Sequence, residues 1–502
     1  MNKKADEWLL PCWCLAVSFT LLALGSKNSF LYPMNDWVDV NCFFTVGRGI
    51  LRGKMPYLDL FEQKGPLLYL EYAFGALISR DSFTGVYAVE GLLTAAFLWS
   101  VGKTAALVSG RKTAAYLAPP LALAALLLSP AFCHGGSAEE LSLFFISLPV
   151  YLFLRADAQQ RMPDRRDGLL FGLCAGAVLW IKYTFLGAHI GLGVTLMTAA
   201  LVKKEGRAFL RFLLNALMGF ALVTAPILLW FLIRGALPSL FDVYFVQNIF
   251  TYSRSAANRH AGPWESLLLN GAWTLFLPAG LAALGVRRRG WAALGLTASF
   301  FCLFITTFIG GKTYPYYTLI QAGLTGPGLS LPCMIPTERL PGKARIKKAF
   351  VCACVLAVAA GSVFFVWRDS PNSYLRGTAR EEMPPYRFAR IISQEENPTL
   401  LNLGFLDGGF YLAAGAEPEN RYFCTLNMDL PAMQEEHDRL IREGLADFLV
   451  VRSRNAAYPG YTTVDTASFP FEGREWTYQL LQYTGTDETP SDQTEQHRDR
   501  RY

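Results

Sequence analysis

Two aspartates, Asp36 and Asp39, are the residues whose type and spacing point most directly to chemistry. They follow the first long apolar run, where the chain leaves an apolar environment, and partial loss of water raises the basicity of a carboxylate. In a helix, the three-residue spacing would place both on one side. Such a carboxylate can accept the proton of an attacking hydroxyl group. The structural alternative is that Asp39 is the N-cap of a helix that follows.

Charged residues also interrupt the apolar runs farther along the chain. Glu139 and Glu140 open one run, where charges are costly unless they are used or paired. Their alternative role is to stabilise a helix N-terminus. Lys182 interrupts another run and would either pair with a phosphate or extend its ammonium to the membrane surface. Further cations stand in the connections between runs: Arg48, Arg52, Lys54, Lys64 and Lys312.

Aromatic and polar residues are concentrated in the connections. Tyr57 lies in the first long connection, and Tyr316 and Tyr317 end a Gly-Gly-Lys-Thr-Tyr-Pro-Tyr-Tyr segment. Such groups can stack on a bound ligand and hydrogen-bond to it. A further connection carries a mixed group for which a structural role is the favoured alternative: Gln247, Asn248, Tyr252, Arg254 and Arg259.

The composition predicts a polytopic α-helical membrane protein. Of the 502 residues, 52% are hydrophobic and 17% are charged, whereas soluble domains have about 25% charged residues. The net charge of +6 is dispersed in short clusters, which argues against a nucleic-acid partner. A membrane-spanning helix needs about 20 apolar residues, and about eleven runs qualify. They are Trp8–Gly25, Gly85–Val108, Thr113–Ala131, Leu141–Leu154, Leu169–Lys182, Phe185–Val202, Phe209–Ile233, Leu267–Val286, Trp291–Ile309, Tyr317–Cys333 and Ala349–Trp367.

Basic residues predict the orientation of these runs. Lys and Arg fall on every second connection, and short cytoplasmic connections are enriched in them. The clusters are Lys3–Lys4, Arg111–Lys112, Arg161–Arg166, Lys203–Arg207, Arg287–Arg289 and Lys343–Lys348. The N-terminus is therefore expected inside, and the connections that carry Asp36, Asp39, Glu139 and Glu140 are expected outside.

Three regions follow from the pattern: a membrane domain over 1–367 with a first outer loop at 27–84, a small outer α/β domain over 368–485, and a polar tail over 486–502 that we expect to be disordered. In the first outer loop, residues 39–52 predict an amphipathic helix at the membrane interface. In the α/β domain the pattern predicts a helix at Pro431–Glu443 and four strands. The strands are Thr399–Leu403, Tyr422–Thr425, Asp447–Val451 and Thr477–Tyr483.

The ten cysteines show neither a disulfide framework nor the spacing of a metal site. Most lie in predicted membrane spans. Three lie outside them and look isolated in the sequence: Cys42, Cys133 and Cys424.

One block of the first outer loop resembles a known family. It reads Asp39-Val40-Asn41-Cys42-Phe43-Phe44-Thr45-Val46-Gly47, then Gly53, Pro56-Tyr57, Asp59, Phe61-Glu62 and Lys64-Gly65-Pro66-Leu67-Leu68-Tyr69. This block resembles the first external loop of GT-C membrane glycosyltransferases. It is most similar to their bacterial family 39 branch, which is related to protein O-mannosyltransferases and lipid A aminoarabinose transferases.

The resemblance implies transfer of a sugar from a polyprenyl-phosphate donor to an acceptor on the outer side of a bacterial cytoplasmic membrane. The acceptor would be an envelope glycan, a lipid or a protein. The family's general base maps onto Asp39, with Asp36 as the second candidate, and a single displacement would invert the anomeric centre. The residues expected to bind the donor phosphate through their positive charges are Arg48, Arg52, Lys64, Lys182 and Lys312.

Other positions resemble further motifs of the family. Glu139 and Glu140 correspond to a second acidic motif that contacts acceptor or metal, so a divalent ion, Mg²⁺ or Mn²⁺, is an expected cofactor. Tyr316 stands where the family often has histidine, which is a departure from its pattern. The sugar contacts expected from the aromatic and polar groups are Tyr57, Asn248, Tyr316 and Tyr317.

Two other interpretations stay open. A polymerase or ligase of lipid-linked glycans would transfer an oligosaccharide by the same chemistry. A lipid or sugar transporter, or a flippase, would place charges at mid-membrane and often in two related halves. In this sequence the acids cluster at one face of the membrane, and no second half repeats the first.

Overall fold

The structure, a computed structural model, describes residues 3–252, 262–334, 344–428, 430–471 and 474–485. Two of the predicted loop cations, Arg254 and Arg259, lie outside these ranges, as does the tail at 486–502. Most described residues up to Asp369 are helical, and a domain that contains a small sheet follows them.

Helices dominate the membrane region, because backbone in an apolar medium must satisfy its hydrogen bonds within one segment. In chain order they are α1 (Lys3–Gly25), α2 (Val38–Leu51), α3 (Pro66–Ile78), α4 (Thr84–Ser109), α5 (Ala114–Leu127), α6 (Ala138–Leu141), α7 (Leu143–Ala158), α8 (Arg165–Lys182), α9 (Leu186–Val202), α10 (Gly206–Ile233), α11 (Leu237–Phe241), α12 (Pro263–Asn270), α13 (Phe276–Val286), α14 (Gly290–Phe308) and α15 (Ala344–Asp369). A π-helix, Asp242–Tyr252, follows α11, and 3-10 helices at Pro315–Leu324 and Gly328–Met334 follow α14.

Seven helical segments within the described ranges are long and apolar enough to cross a membrane, and the number is eight if α12 and α13, which are bent by 102°, are counted as one span. The chain is thus a multi-pass membrane protein. The eleven predicted runs differ from these segments in places: α8 and α9 form one segment, and α5 is shorter. The run predicted at Tyr317–Cys333 forms 3-10 helices, since Pro327 and Pro332 lack the N–H that an α-helix requires.

The segment 27–84, which the sequence predicts to be the first outer loop, contains the hairpin of α2 and α3. Trp37 precedes α2, and Asp39 lies in its first turn rather than at the N-cap. Every residue from Val40 to Gly49 is buried, so the polar face that was expected at the membrane interface contacts protein instead. Gly47 permits close packing of the two helices, because a Cβ there would lie 2.7 Å from the backbone nitrogen of Ala73.

The C-terminal domain is a small α/β domain with a four-stranded sheet. Its elements are α16 (Pro384–Ile392), β1 (Leu400–Leu403), α17 (Phe410–Ala413), α18 (Pro431–Arg442), β2 (Phe448–Val451), β3 (Tyr461–Phe471) and β4 (Arg474–Tyr483). The strand order is β1-β2-β4-β3, with β1 and β2 parallel and the other pairs antiparallel. The strands predicted at β1, β2 and β4 and the helix predicted at α18 are confirmed.

Two parts of the C-terminal domain differ from the prediction. The segment Tyr422–Thr425 is not a strand and pairs with β1 through a single bridge between Cys424 and Asn402. The sequence pattern also missed β3, an edge strand whose β-branched Thr462, Val464 and Thr466 are the signal that could have revealed it.

The C-terminal domain packs against α2 and the loop that follows it. The Thr45 hydroxyl donates to Asp407 Oδ2 at 2.6 Å. Arg52 Nε lies 2.7 Å from Glu417 Oε1. The Phe61 N–H donates to the Arg421 carbonyl at 2.9 Å. These contacts bury α2 between the membrane helices and the C-terminal domain.

Gly65→Ala tests the packing that positions the loop before α3. Gly65 donates its N–H to the Ile181 carbonyl at 3.0 Å, and a Cβ there would lie 2.0 Å from the Trp180 carbonyl oxygen. Because backbone cannot yield easily, we expect a loss of about 1–3 kcal/mol in unfolding free energy, measured by thermal melting in detergent. Gly193→Ala, where no atom lies within 4 Å, is the matched control. Equal melting temperatures for the two variants would contradict this packing.

Candidate active site

Segments far apart in the sequence bring one group of charged and aromatic side chains together around Asp39. We call this group the Asp39 cluster. It consists of Asp39, Glu62, Lys64, Glu139, Lys182, Tyr252, Lys312, Tyr316 and Tyr317. The predicted site residues that it unites are Asp39, Lys64, Glu139, Lys182, Lys312, Tyr316 and Tyr317.

Asp39 is half-buried at the N-terminal end of α2. Its Oδ2 accepts a hydrogen bond from the Tyr316 hydroxyl at 3.3 Å. Burial raises the pKa of Asp39 above its ordinary value, the nearby Lys64 ammonium opposes this, and Glu62 adds to it. A carboxylate with a raised pKa and one long hydrogen bond is well suited to accept a proton.

Lys64 is the cation whose charge acts most strongly on Asp39. Two hydrogen bonds fix the backbone of its loop. The Tyr57 hydroxyl donates to the Lys64 carbonyl at 2.5 Å, and the Lys64 N–H donates to Glu62 Oε2 at 2.8 Å. Burial lowers the pKa of Lys64, but the carboxylates of Glu62 and Asp39 outweigh it and raise the pKa above the ordinary value. Lys64 therefore stays charged at every physiological pH.

Lys182 and Glu139 form an ion pair beside Asp39. Lys182 Nζ lies 2.6 Å from Glu139 Oε1 and 3.6 Å from the centre of the Tyr317 ring. The Glu139 side chain is 1% exposed, so it has lost nearly all contact with water. A buried carboxylate of this kind depends on its cation.

Lys312, which follows α14, adds a third cation to the cluster. Its Nζ lies 4.0 Å from the centre of the Tyr252 ring. Burial lowers the pKa of Lys312 to about 8, and the Lys64 ammonium contributes to the decrease. This ammonium therefore loses its charge close to neutral pH.

Aromatic rings form one wall of the cluster. The Trp37 ring packs edge-to-face on Tyr316 at 5.0 Å between centroids, and stacks on the His134 ring at 4.5 Å. Burial and the Lys27 charge lower the pKa of His134, so this imidazole is neutral. Neither Trp37 nor Glu62 was predicted as a site residue. The available signals were the position of Trp37 between the two aspartates and the position of Glu62 in the first-loop block.

Asp36, the second candidate base, is engaged elsewhere. Its Oδ1 lies 2.5 Å from Lys27 Nζ, and its Oδ2 accepts a hydrogen bond from the Tyr374 hydroxyl at 2.7 Å. Both carboxylate oxygens thus have partners outside the Asp39 cluster.

Five other predicted site residues also lie apart from the cluster or only support it. Arg48 and Arg52 face Glu417 of the C-terminal domain, with nearest N–O distances of 4.0 and 2.7 Å. The remaining three bind backbone: Tyr57 binds the Lys64 carbonyl, Asn248 donates to the Gln63 carbonyl at 2.7 Å, and Glu140 accepts from the Gly136 N–H at 2.7 Å. The two arginines are therefore no longer candidates for binding a phosphate beside Asp39.

The expected divalent ion finds no set of ligands in the part of the chain that the structure describes. Within those ranges, no group of three or more His, Cys, Asp and Glu side chains is arranged to hold a metal. Glu139 pairs with Lys182, and Glu140 binds a backbone N–H. We therefore derive no step through a metal.

Comparisons with known proteins show which solved structures have a similar fold. No protein-family profile and no curated protein sequence matches the chain. ArnT from Cupriavidus metallidurans in the apo state matches with a TM-score of 0.61 at 14% identity, over 95% of this chain and 98% of that one. Its structure bound to undecaprenyl phosphate matches with a TM-score of 0.59 at 14% identity and the same coverage. The mycobacterial arabinofuranosyltransferase AftD matches with a TM-score of 0.52 at 15% identity, over 97% of this chain and 42% of that one.

These matches agree with the resemblance of the first outer loop. The chain has the GT-C fold. In this chain, the first-loop block, the start of α6 and the segment at 310–317 meet in one place. The contact between Tyr316 and Asp39 joins residues that are 277 positions apart.

Lys182→Met tests the buried ion pair. The substitution leaves Glu139 without its cation, and we expect a loss of about 3–5 kcal/mol in unfolding free energy, measured as a lower melting temperature. The double variant Lys182→Met/Glu139→Gln carries no uncompensated charge and should recover most of the loss. Arg439→Met, which removes an exposed ion pair with Glu436, is the control and should change stability little. A double variant as unstable as Lys182→Met would refute the pairing.

Proposed function

We propose that the protein is a glycosyltransferase that moves a sugar from a polyprenyl-phosphate donor to an acceptor on the outer face of the cytoplasmic membrane of a bacterium. The observation that carries the proposal is the Asp39 cluster, which sets a half-buried carboxylate near the ammonium groups of Lys64 and Lys182, with Lys312 next to Lys64. The ArnT structure with undecaprenyl phosphate supports the class of donor, since it has the same fold.

In the proposed reaction, Asp39 removes the proton of the acceptor hydroxyl. The oxygen attacks the anomeric carbon and forms the new glycosidic bond. The bond from that carbon to the phosphate oxygen breaks, and the polyprenyl phosphate leaves with the electron pair. A single displacement of this kind inverts the anomeric centre.

The lysines of the cluster would stabilise the departing phosphate. Lys64 is charged throughout the physiological range, Lys312 is charged below about pH 8, and Lys182 is neutralised in part by Glu139. Lys64 and Lys312 are therefore the stronger candidates to bind the leaving oxygen, because charge placed where charge develops lowers the barrier. Tyr316 and Tyr317 would border the sugar and orient it.

Contacts between the basic connections support the proposed orientation. Arg287 Nη2 donates to the Ser109 carbonyl, and Arg289 Nη1 lies 3.4 Å from Asp157 Oδ2. These connections thus meet at one end of the bundle, and short basic connections are typical of the cytoplasmic side. The N-terminus would then be inside, with the Asp39 cluster and the C-terminal domain outside.

Two other interpretations differ from the proposed transferase. A polymerase or ligase differs in the glycan that its donor carries, and a transporter or flippase differs in the membrane depth of its charged groups. A polymerase or ligase would use the same cluster with an oligosaccharide donor, so a panel of donors separates it from a monosaccharide transferase. A transporter or flippase would need charges at mid-membrane. The Asp39 cluster joins a carboxylate and ammonium groups where α2, the first-loop segment and the residues after α14 meet, which supports transfer from a phosphate donor.

Asp39→Asn tests the base. The variant keeps the shape of the side chain but cannot accept the proton, so we expect a loss of about 10²–10⁴-fold in transfer. The assay uses purified protein in detergent with radiolabelled polyprenyl-phosphate sugars and measures sugar released or transferred. Asp59→Asn, an exposed acid of the same loop that caps the Met55 N–H, is the control. Full activity of Asp39→Asn with an unchanged melting temperature would falsify the assignment.

The pH profile tests the charge states of Asp39 and Lys312. Transfer needs Asp39 deprotonated, so activity should rise with pH through its raised pKa. It also needs Lys312 protonated, so activity should fall as pH rises through about 8. Lys312→Arg keeps its charge at higher pH and should move the alkaline limb upward, whereas the control Lys54→Arg should leave it in place. An alkaline limb that does not move in Lys312→Arg excludes Lys312 as its source.

A further inference from the structure

Two cysteines that look isolated in the sequence are neighbours in the structure. Cys42 Sγ lies 3.9 Å from Cys424 Sγ, although the residues are 382 positions apart. Cys42 is on α2, and Cys424 is in the segment that bridges to β1. Both side chains are buried, with exposures of 1% and 0%. The pair thus spans the contact between the membrane domain and the C-terminal domain.

The surroundings of the pair hold both backbones in place. The Asp407 N–H donates to Cys42 Sγ at 3.3 Å, and the Asp407 carboxylate accepts from the Thr45 hydroxyl at 2.6 Å. Cys424 is anchored to the sheet by its bridge to Asn402. The sulfur atoms therefore face each other because the two domains dock in one arrangement.

We propose that Cys42 and Cys424 form a disulfide that fastens the C-terminal domain to α2. The proposal rests on the outer placement given under the proposed function, since disulfides form and persist outside the cytoplasm. The two sulfurs must approach from 3.9 Å to about 2.05 Å. This approach of about 1.9 Å is the displacement that the bond requires of the two side chains and their backbones.

The step is a thiol–disulfide exchange with a disulfide-carrying oxidant. One thiol of the pair loses its proton, and its sulfur attacks the oxidant and forms a mixed disulfide. This attack breaks the S–S bond of the oxidant and frees its other sulfur as a thiolate, which takes up a proton. The second thiol of the pair then loses its proton and attacks the mixed disulfide, so that the bond between Cys42 and Cys424 forms and the remaining sulfur of the oxidant leaves as a second thiol. Two electrons pass from the cysteine pair to the oxidant.

Burial sets when this exchange can take place. It raises the pKa of both thiols above the ordinary value, and the thiolate is the attacking species. The docked thiols are thus slow to react, and oxidation proceeds while the C-terminal domain is forming its contact with α2 or is transiently apart from it. Once formed, the bond is shielded from reductants by the same packing.

The disulfide would restrain the helix that carries the proposed base. Cys42 lies three residues after Asp39, almost one helical turn. A covalent bond at this point keeps the C-terminal domain on α2 and limits separation of the two domains at the end of α2 nearest Asp39. It would close a loop of several hundred residues in the unfolded chain, which stabilises the folded state.

Peptide mapping of the full chain in detergent, without donor or acceptor, tests the proposal. The protein is unfolded briefly in mild denaturant, returned to buffer with oxidised glutathione, alkylated and digested without reductant. We expect a linked peptide that contains Cys42 and Cys424 and disappears on reduction, and a melting temperature about 3 °C or more above that of the reduced protein. Because no sugar is transferred, the outcome is independent of the proposed catalysis.

Matched variants complete the test. Cys42→Ser and Cys424→Ser should each abolish the linked peptide and the difference in melting temperature between oxidised and reduced protein. Cys174→Ser, a buried cysteine of α8, should keep both. If the wild-type protein, oxidised in this way, yields Cys42 and Cys424 fully alkylated and melts as the reduced protein does, the disulfide does not form. The wild-type map decides the question even if a serine variant fails to fold.

Discussion

A charge withdrawn from water must lie beside an opposite charge, and the arrangement around Asp39 follows from this constraint. Lys64 lies between the carboxylates of Asp39 and Glu62, and Lys182 is bound to Glu139. Each cation offsets part of the desolvation cost of the neighbouring carboxylate in a site with little water. The same pairing keeps positive charge available where a phosphate would depart, so the stability of the site and its proposed chemistry depend on one set of contacts.

The C-terminal domain has a part in this arrangement that its own sequence does not reveal. It contains no catalytic motif, yet it covers the polar face of α2 through contacts such as Thr45 with Asp407 and Arg52 with Glu417. A helix that would otherwise lie in the membrane interface becomes a buried element. Asp39 is thereby presented from a helix that is held on both sides, which suits a group that must keep its geometry during transfer.

The local sequence pattern predicted most secondary-structure elements of the C-terminal domain, but it did not predict which distant segments contact one another. The strands at β1, β2 and β4 and the helix α18 were predictable because alternation and helical spacing depend on near neighbours in the chain. The edge strand β3 was missed, although its alternating β-branched residues Thr462, Val464 and Thr466 are a local signal for a strand. The 3-10 helices at residues 315–334 arise where prolines and glycines override an apolar composition.

The sequence by itself determined that the chain crosses a membrane many times and that the block from Asp39 to Tyr69 resembles the first external loop of GT-C enzymes. Only the tertiary structure showed that Asp36 is bound by Lys27 and Tyr374, which is why the proposal favours Asp39 as the base. It likewise brought Cys42 and Cys424 together. The reason is physical: composition and periodicity act over a few residues, whereas burial, charge pairing and sulfur contact act through space between segments that the chain order leaves far apart.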